Sequence, residues 1–556
     1  MRRMVRLLTV LVALVMLPAA AYAQGVITGV VRDSSGAVLP GVTVNATSPV
    51  LIEQVRTAVS DSTGQYRIVD LRPGTYVVTF ELSGFSSLKR EGIELSGDFV
   101  ATVNAELRVG SVQETITVTG ESPVVDVQSS AMSRTLTADA IAGIPSARGY
   151  QSFTVLTPGI NVQGADVGGQ TGAAFSVFQG HGGRRNEGQV QVDGLSAGWQ
   201  GMGVSSYQPE VGAAEEVTFS ITGGLGEAGT GGPQMNLIPR QGGNTLSGTV
   251  FTGLSGDAWQ GSNLSSEQEA GGLRALSEIV KLWDVNFMLG GPIKRDKVWF
   301  FWTARHVGNR NTVAGIFINK NVGDPTKWTY DPDFNQQAED DTTVKNMSLR
   351  LTWQASPRNK FTLWWDEQKT CQHCIGGGNS GGASGALATG TLAQEAQGGN
   401  HNPIRMAQAT WTSPITSRVL VEAAFGLGPR AWFGEKWRDE ANPALINVIE
   451  QAGSLPGIEY RSQDAARNYG SMYTSRASLS YITGAHRMKV GFRLQQTRAA
   501  FITYYNDSRL RYRFSNTVPN LLTMYGDHAA DNPFEMDTFA LFAQDQWTLG
   551  RLTLQG

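Results

Sequence analysis

Apolar and polar side chains alternate along the chain after residue 245. In residues 347–353 the apolar side chains take the odd positions and the polar ones the even positions: Met347, Leu349, Leu351 and Trp353 against Ser348, Arg350 and Thr352. The same alternation recurs in residues 283–289, 360–366 and 487–494. Successive side chains of a strand point to opposite faces, so the pattern predicts β-strands with one apolar and one polar face.

Two kinds of sheet fit such strands. A soluble sandwich turns its apolar face inward, whereas a membrane barrel turns it toward lipid and keeps a wet interior. Aromatic residues near predicted strand ends favour the barrel, because they suit the membrane interface: Trp299, Phe300, Phe301, Trp302, Trp364, Trp365, Trp411, Tyr504, Tyr505 and Trp547. Predicted connections are short at 290–296 and 354–360 but long at 307–343 and 369–405, which is the loop asymmetry of such barrels.

The first part of the chain has a different pattern. Short β-type runs between residues 25 and 107 are separated by turn-forming clusters at 33–36, 61–64 and 72–74. Glycine supplies positive φ and proline a fixed φ in these clusters. The pattern predicts a small β-sandwich. Residues 124–243 are rich in glycine and poor in long apolar runs, and they predict an irregular α/β domain.

The N-terminus has the features of a secretory signal. Arg2, Arg3 and Arg6 precede an apolar stretch at 7–17, and small residues surround a cleavage point before Gln24. The alternative is an anchor helix, which needs about 20 apolar residues. We therefore expect an exported protein, processed after residue 23, and any later entry into a membrane must use a closed barrel.

Charge and cysteine content exclude several classes of protein. Lys+Arg (45) and Asp+Glu (48) nearly balance, so there is no sign of a nucleic-acid-binding surface. Only Cys371 and Cys374 occur, with His373 between them. A structural zinc site needs a second ligand pair, and only the distant His401 is available. A local disulfide is therefore favoured, and no metal or cofactor is expected.

The N-terminal pattern resembles the carboxypeptidase regulatory-like, transthyretin-like domain over residues 24–109. The matching motifs are Gly29-Val30-Val31-Arg32-Asp33, Pro40-Gly41-Val42, Gly64-Gln65-Tyr66 and Leu71-Arg72-Pro73-Gly74. In zinc carboxypeptidases this domain accompanies a catalytic domain whose metal motif is His-x-x-Glu, and none of the six histidines here is followed by Glu at that spacing. An enzyme is not expected. Related folds also bind carbohydrate.

A β-branched run follows this domain within the linker 110–123. It resembles the TonB box of TonB-dependent receptors, which an energy-transducing protein draws away by strand addition. The residues expected to bind TonB are Glu114, Thr115, Ile116, Thr117, Val118, Thr119 and Gly120. Periodicity alone equally allows a last strand of the sandwich or an inert linker.

Residues 124–243 resemble the plug of the same receptors. The matching motifs are Leu156-Thr157-Pro158-Gly159, Gly182-Gly183-Arg184-Arg185, Val190-Gln191-Val192-Asp193-Gly194 and the run 236–244, in which Pro239 replaces the usual β-branched residue. In such plugs, charged residues lock the plug to the barrel wall. The resemblance suggests Arg184, Arg185, Glu215 and Glu216, although solvated surface charges explain these residues as well.

The turns at 290–297 and 356–360 resemble those of Oar-like TonB-dependent receptors, which extends the resemblance to residues 244–556. The expectation is a mainly β protein of the cell outer membrane with its N-terminal domain in the periplasm. About ten to twelve strands are recognisable against about 22 in plugged transporters, so an incomplete barrel is expected. TonB, lipid and an extracellular substrate, glycan or peptide, are the implied partners. The alternative function is a surface carbohydrate-binding or adhesion protein.

Overall fold

The computed structural model describes residues 25–51, 54–72, 74–95, 100–110, 115–119, 132–162, 168–169, 177–184, 187–198, 207–222, 229, 231–322, 324–372, 399–416, 418–433, 444–453, 456–461, 465–483, 486–527, 529–549 and 552–556. The predicted signal segment, residues 1–23, lies outside these ranges. Within them, no helix combines the length and hydropathy needed to cross a bilayer.

The N-terminal domain is a β-sandwich, as predicted. Its strands are β1 (Gly25–Asp33), β2 (Thr43–Thr47), β3 (Val55–Val59), β4 (Gln65–Leu71), β5 (Gly74–Glu81), β6 (Ser87–Leu95), β7 (Val100–Thr102), β8 (Ala105–Leu107) and β9 (Thr115–Thr119). One sheet has the order β4-β1-β7, with β8 also paired to β1, and the other has the order β3-β2-β5-β6-β9. Alternate apolar residues of both sheets form one core, in which the hydroxyl of the buried Tyr66 donates to the carbonyl of Val103 at 2.7 Å.

The second domain, here called the plug, is a small mixed α/β unit. Its elements are β10 (Met132–Thr137), α1 (Ala138–Gly143), α2 (Tyr150–Val155), β11 (Ile160–Val162), β12 (Phe178–Gly180), β13 (Gln189–Val192), β14 (Leu195–Ser196), a 3-10 helix (Val211–Ala213), β15 (Ala214–Thr222) and β16 (Gln234–Pro239). Five strands form a sheet in the order β10-β15-β16-β13-β14. Thr137 ends β10 and caps α1, because its side chain accepts the Ala140 N–H.

The third part, here called the wall, is a long antiparallel sheet. Its strands are β17 (Ser247–Gly256), β18 (Ile279–Lys294), β19 (Val298–Asn319), β20 (Pro332–Ser356), β21 (Asn359–Gln372), β22 (Gly399–Pro414), β23 (Val419–Phe433), β26 (Ala465–Ile482), β27 (His486–Tyr504), β30 (Ala529–Leu549) and β31 (Leu552–Gln555). In the described residues these strands form one eleven-stranded sheet in chain order. Neighbouring strands are joined by tight turns at one end and by long loops at the other, as the sequence predicts. The segment 307–343, predicted as a loop, is mostly strand, because β19 continues to Asn319 and β20 begins at Pro332.

The long loops carry further elements. They are a short 3-10 helix (Asp257–Trp259), α3 (Ser266–Ala270), β24 (Asn447–Glu450), β25 (Glu459–Tyr460), β28 (Leu510–Ser515) and β29 (Val518–Met524). The last four strands come from two different loops, yet they form one sheet in the order β25-β24-β28-β29. Aromatic residues of a third loop, Trp328 and Tyr330, pack against it.

Burial in the wall is the reverse of that in a soluble protein. Met347 is 43% exposed and Trp353 51% exposed, whereas the intervening Ser348 and Arg350 are only 7% and 4% exposed. The same inversion holds along β21, where Leu363 is exposed and Thr362 is buried. The polar face covers the plug and the apolar face points away from it. This arrangement excludes a soluble sandwich and fits a wall that contacts lipid.

Two of the tryptophans expected at the membrane interface lie on the inner face instead. Trp364 is buried against the plug, where its ring meets Tyr207 edge-on at 6.4 Å between centroids. Trp299 is also buried, and its Nε1 donates to Oδ1 of Asn244 at 2.8 Å. A row of stacked rings near the tight turns, Trp353, Phe361 and Trp411, does have the predicted interfacial position.

Candidate functional site between plug and wall

The contact between plug and wall is centred on the Asp193-Gly194 turn. This two-residue turn joins β13 to β14, and both residues have positive φ, 49° for Asp193 and 70° for Gly194. Asp-Gly suits such a turn because glycine adopts the left-handed region freely and aspartate tolerates it. Oδ1 of Asn236 accepts the Gly194 N–H at 2.7 Å and fixes the turn on β16. The turn thereby presents a carboxylate and two carbonyl groups to the wall.

Two arginines of the wall hold this turn. Arg350 of β20 donates from both terminal nitrogens to the Asp193 carboxylate, at 2.5 and 3.3 Å, and the side chains are 4% and 1% exposed. Arg476 of β26 donates to the carbonyl oxygens of Asp193 and Gly194, at 3.3 and 3.1 Å. Breaking a buried ion pair by removing one partner costs about 3–5 kcal/mol, so this contact strongly fixes the plug in the wall.

A second buried carboxylate, Glu210, meets the wall just ahead of β15. It accepts hydrogen bonds from Asn286 and, at 2.9 Å, from the hydroxyl of Thr303. Arg305 lies beside it, paired with Asp284 of the neighbouring strand at 2.8 Å. Two wall strands, β18 and β19, therefore supply the partners of one plug carboxylate.

Arg305 also holds the segment between α1 and α2. Its guanidinium donates to the carbonyl oxygens of Ala147 and Arg148 at 3.3 and 3.4 Å. The guanidinium of Arg148 in turn lies over the ring of Phe251 in β17, at 4.2 Å from the centroid. These contacts join the first part of the plug to the first strands of the wall.

Uncharged hydrogen bonds and apolar contacts also hold the plug on the wall. Gln368 of β21 exchanges two hydrogen bonds with the backbone of Gln208, at 2.9 and 2.8 Å. Gln408 of β22 donates to the carbonyl of Val192 at 3.2 Å. The apolar core of the plug continues into the wall through Trp364, Ile404 and Met406.

The space left between plug and wall is small. Two cavities of about 20 Å³ flank Glu210, one lined by Arg350 and Asp366 and the other by Arg305 and Asn346. Each has room for about one water molecule. In these two regions the plug packs closely on the inner face of the wall.

Three of the four plug residues suggested as a lock from the sequence are described. Arg184 is exposed, and its backbone N–H donates to the Glu187 carboxylate at 3.2 Å; Arg185 is outside the described residues. Glu215 is half-buried and Glu216 is buried on β15, where Glu216 is in register with Thr137 and Ile238 of the plug's own sheet. The charged contacts described above use Asp193 and Glu210 instead. Two features of the sequence could have indicated the contact of Asp193: the Asp-Gly motif and the position of Arg350 on the polar face of its strand.

The strand expected to bind TonB lies on the N-terminal domain. Thr115–Thr119 forms β9 and pairs with β6 in parallel, while Glu114 and Gly120 are outside the described residues. Cys371, at the end of β21, is disulfide-bonded, and Cys374 is outside the described residues.

The N-terminal domain contacts the tight-turn end of the wall. Arg418, in the turn between β22 and β23, donates to Oδ2 of Asp61 at 2.6 Å and to the hydroxyl of Thr63 at 3.0 Å. Burial opposes ionisation of Asp61, but hydrogen bonds from Thr63 and Arg418 outweigh it and lower the pKa of this carboxyl to about 2. Arg487 at the start of β27 donates to the hydroxyl of Thr102 at 3.0 Å.

Comparisons with known proteins agree with this domain order. Residues 26–108 match the carboxypeptidase regulatory-like domain. The TonB-dependent transporter Oar of Myxococcus xanthus is 31% identical over 295 residues, which cover 51% of this chain and 27% of Oar. The outer membrane transporter YddB from Escherichia coli has a similar structure, with a TM-score of 0.54 and 12% identity over 76% of this chain and 55% of YddB.

The chain has the fold of a TonB-dependent outer-membrane receptor. A carboxypeptidase regulatory-like domain precedes its plug. The protein is placed in the outer membrane with its N-terminal domain on the periplasmic side, where the tight turns of the wall lie. The chain spans about a quarter of the length of Oar, 27%. Neither relative is named as an enzyme or as a carbohydrate-binding protein, so an adhesion protein is not favoured.

Proposed function

We propose that this protein is a TonB-coupled receptor for the energy-driven uptake of an extracellular solute. The observation that carries the proposal is the closed seat of the plug, fixed by the buried pair of Asp193 and Arg350. A solute can cross only after contacts of this kind are broken. A buried charge left without its partner is penalised by about 3–5 kcal/mol, which weak binding of a solute does not supply by itself.

External work is therefore needed, and residues 114–120 are the segment through which we propose it enters. The run Thr115–Thr119 is β-branched at every position, which favours an extended strand able to join the edge of another protein's sheet. It precedes β10, the end strand of the plug sheet, so force applied to it reaches the plug through residues 120–131. TonB is the proposed source of this force, as the name of Oar suggests for that relative.

The long loops are the proposed site of substrate capture. They lie at the end of the wall opposite the N-terminal domain, and two of them combine into the β25-β24-β28-β29 sheet. Its core and margin are rich in aromatic rings, and the guanidinium of Arg461 lies 3.8 Å from the centroid of Trp328. Rings and guanidinium groups suit either a glycan or a peptide.

Binding of TonB tests the proposal directly. The protein is purified with and without residues 114–120, and its affinity for the C-terminal periplasmic domain of TonB from the same organism is measured. We expect the deletion to weaken binding at least ~10-fold, a loss of about 1.4 kcal/mol or more. Deletion of residues 262–268, an equally long stretch of an extracellular loop, is the control and should leave the affinity unchanged. Equal binding by both deletion variants would refute the assignment.

A further inference from the structure

The strand β9 is the last strand of its sheet. It pairs with β6 alone, in parallel register from Ser87 opposite Thr115 to Glu91 opposite Thr119. The sheet order β3-β2-β5-β6-β9 leaves the other edge of β9 without a strand among the described residues. An edge strand presents unpaired backbone groups with which another chain can pair.

The two edges of this sheet differ in chemistry. The opposite edge strand, β3, carries the charged Arg56 in its five residues. The sequence of β9 is Thr-Ile-Thr-Val-Thr, with no charge and no proline. Natural proteins protect exposed edges with charged residues or proline, because an unprotected edge invites pairing. A charged residue thus protects the β3 edge, and β9 has neither a charge nor a proline. This difference indicates that β9 can pair with a strand of another chain.

The chain around β9 is fastened to the same domain. Arg108 and Gly110, which precede β9, are bonded to the segment just before β6. The Arg108 carbonyl accepts the Ser86 N–H at 2.9 Å, and the Gly110 N–H donates to the Gly84 carbonyl at 3.2 Å. The five steps from Gly110 to Thr115 can span no more than about 18 Å, at ~3.5 Å per residue, so β9 starts within that distance of Gly110 while these bonds hold. The domain itself is held at the wall by Asp61 and Arg418.

A strand that is already extended also binds at a lower entropic cost. Fixing the backbone of one residue costs about 1–2 kcal/mol, and a free peptide would bear this cost for every residue that TonB orders. In β9 the pairing with β6 has already ordered five residues. The N-terminal domain therefore provides a preformed acceptor.

We propose that TonB is captured at the free edge of β9 while β9 remains paired with β6, so that the carboxypeptidase regulatory-like domain presents the TonB-binding strand. This proposal rests on the proposed function and assigns the N-terminal domain a role in it. Capture extends the sheet by one strand beyond β9. The five-residue parallel pair of β6 and β9 is then the first contact to carry the load, ahead of the antiparallel pair of β10 and β15 in the plug.

A disulfide between β6 and β9 tests the order of events. Lys89 and Thr117 are register partners, so the Lys89→Cys, Thr117→Cys variant should form a cross-link that keeps β9 on β6. Lys89 is also the partner of Thr79 in β5, so the Thr79→Cys, Lys89→Cys variant is a matched control that links β5 to β6 and leaves β9 free. Both variants retain the native disulfide of Cys371.

We expect the affinity of the Lys89→Cys, Thr117→Cys protein for the C-terminal domain of TonB to differ by no more than ~3-fold between its oxidised and reduced forms, and the same to hold for the control variant. Hydrogen exchange in residues 115–119 should slow on binding, and exchange in residues 87–91 should not rise. A loss of at least ~10-fold that reduction reverses would overturn the proposal, since β9 must then leave β6 before capture. Failure of the cross-link to form would also overturn it.

These outcomes are separate from those of the proposed function. If deletion of residues 114–120 leaves TonB binding intact, the TonB-coupled function itself fails. If that deletion abolishes binding while the cross-link also blocks it, the function stands and only the presentation of β9 is wrong.

Discussion

Asp193 and Arg350 show how a costly interaction can serve a moving domain. A buried ion pair often contributes little net stability compared with apolar packing, because both charges lose their hydration. Its strength lies in specificity, since either charge left alone in the interface is heavily penalised. The pair therefore gives one position of the plug a lower free energy than nearby positions, so a displaced plug is expected to return to it.

Replacement of Asp193 tests this role. Asp193→Ala leaves Arg350 buried without its carboxylate, so we expect the plug contact to weaken by about 3–5 kcal/mol. Hydrogen exchange in β13 and β14 of the purified protein should accelerate at least ~100-fold, because each 1.4 kcal/mol is about tenfold. Asp139→Ala, at an exposed position of α1, is the control and should change exchange about twofold or less. Unchanged exchange in the Asp193 variant would show that the pair does not hold the plug.

Asp61 makes the docking of the N-terminal domain dependent on pH. Although burial opposes ionisation, hydrogen bonds from Thr63 in its own turn and from Arg418 of the wall lower the pKa of Asp61 from 3.8 to about 2, and only the contribution of Arg418 depends on docking. A lowered pKa gives stability that is complete above the ordinary value and is lost as the pH falls toward the docked value. Docking should therefore be constant above about pH 4 and weaken between about pH 4 and 2.

Distances between spin labels at Ser35 and Arg358 can follow this docking. We expect one short distance at pH 5 and a broader, longer distribution near pH 2. Asp61→Asn should give the broad distribution at both pH values, because Arg418 then lacks its anionic partner. A distribution for the wild type that is identical at both pH values would contradict the role of this ion pair.

The identities of the charged pairs could not be predicted from the sequence. Asp193 and Arg350 are far apart in the chain, and they meet only because the inner face of β20 packs on the turn after β13. Local patterns do not determine such a register. The sequence did indicate that Arg350 faces inward, but it did not indicate Asp193 as its partner.

At the level of elements, the strands of the wall follow directly from the sequence. Alternation with a period of two fixes which residues share a face, because a slip of one residue would bring every polar side chain into contact with lipid. Trp364 and Trp299 do not have the predicted interfacial position, because distance from a strand end does not determine which face of the sheet a side chain occupies. The parity of Trp364 with Thr362 and Asp366 would have placed it on the inner face.

The Asp193-Gly194 turn allows a sharp test of one element. Gly194 has φ of +70°, and a Cβ there would lie 2.5 Å from the Arg476 guanidinium. Gly194→Ala should therefore cost about 1–2 kcal/mol in backbone strain alone and also displace Arg476. Exchange in β13 and β14 should rise about tenfold or more, whereas Gly243→Ala, which meets nothing within 4 Å, should have little effect. Equal behaviour of the two variants would show that the turn is not required to seat the plug.

At the scale of the whole molecule, the order of sandwich, plug and wall was predictable and the contacts among them were not. Composition and turn chemistry change along the chain, and each change marks a domain. The position of β9 on the sandwich, the contact of Arg418 with Asp61 and the sheet built from two distant loops all depend on long-range packing. Together they describe a receptor in which the strand proposed to bind TonB lies at one end and the loops proposed to capture the substrate lie at the other.

Contact with lipid tests the central claim most directly. The protein in outer-membrane vesicles is exposed to a photoreactive lipid that labels from within the hydrocarbon region, and the labelled residues are identified by mass spectrometry. The account predicts labels on outward residues such as Leu363, Phe425 and Val490, and none on their inward neighbours Thr362 and Thr410. Labels distributed equally over both sets, or absent from the outward set, would contradict the assignment of this sheet as the wall of an outer-membrane receptor.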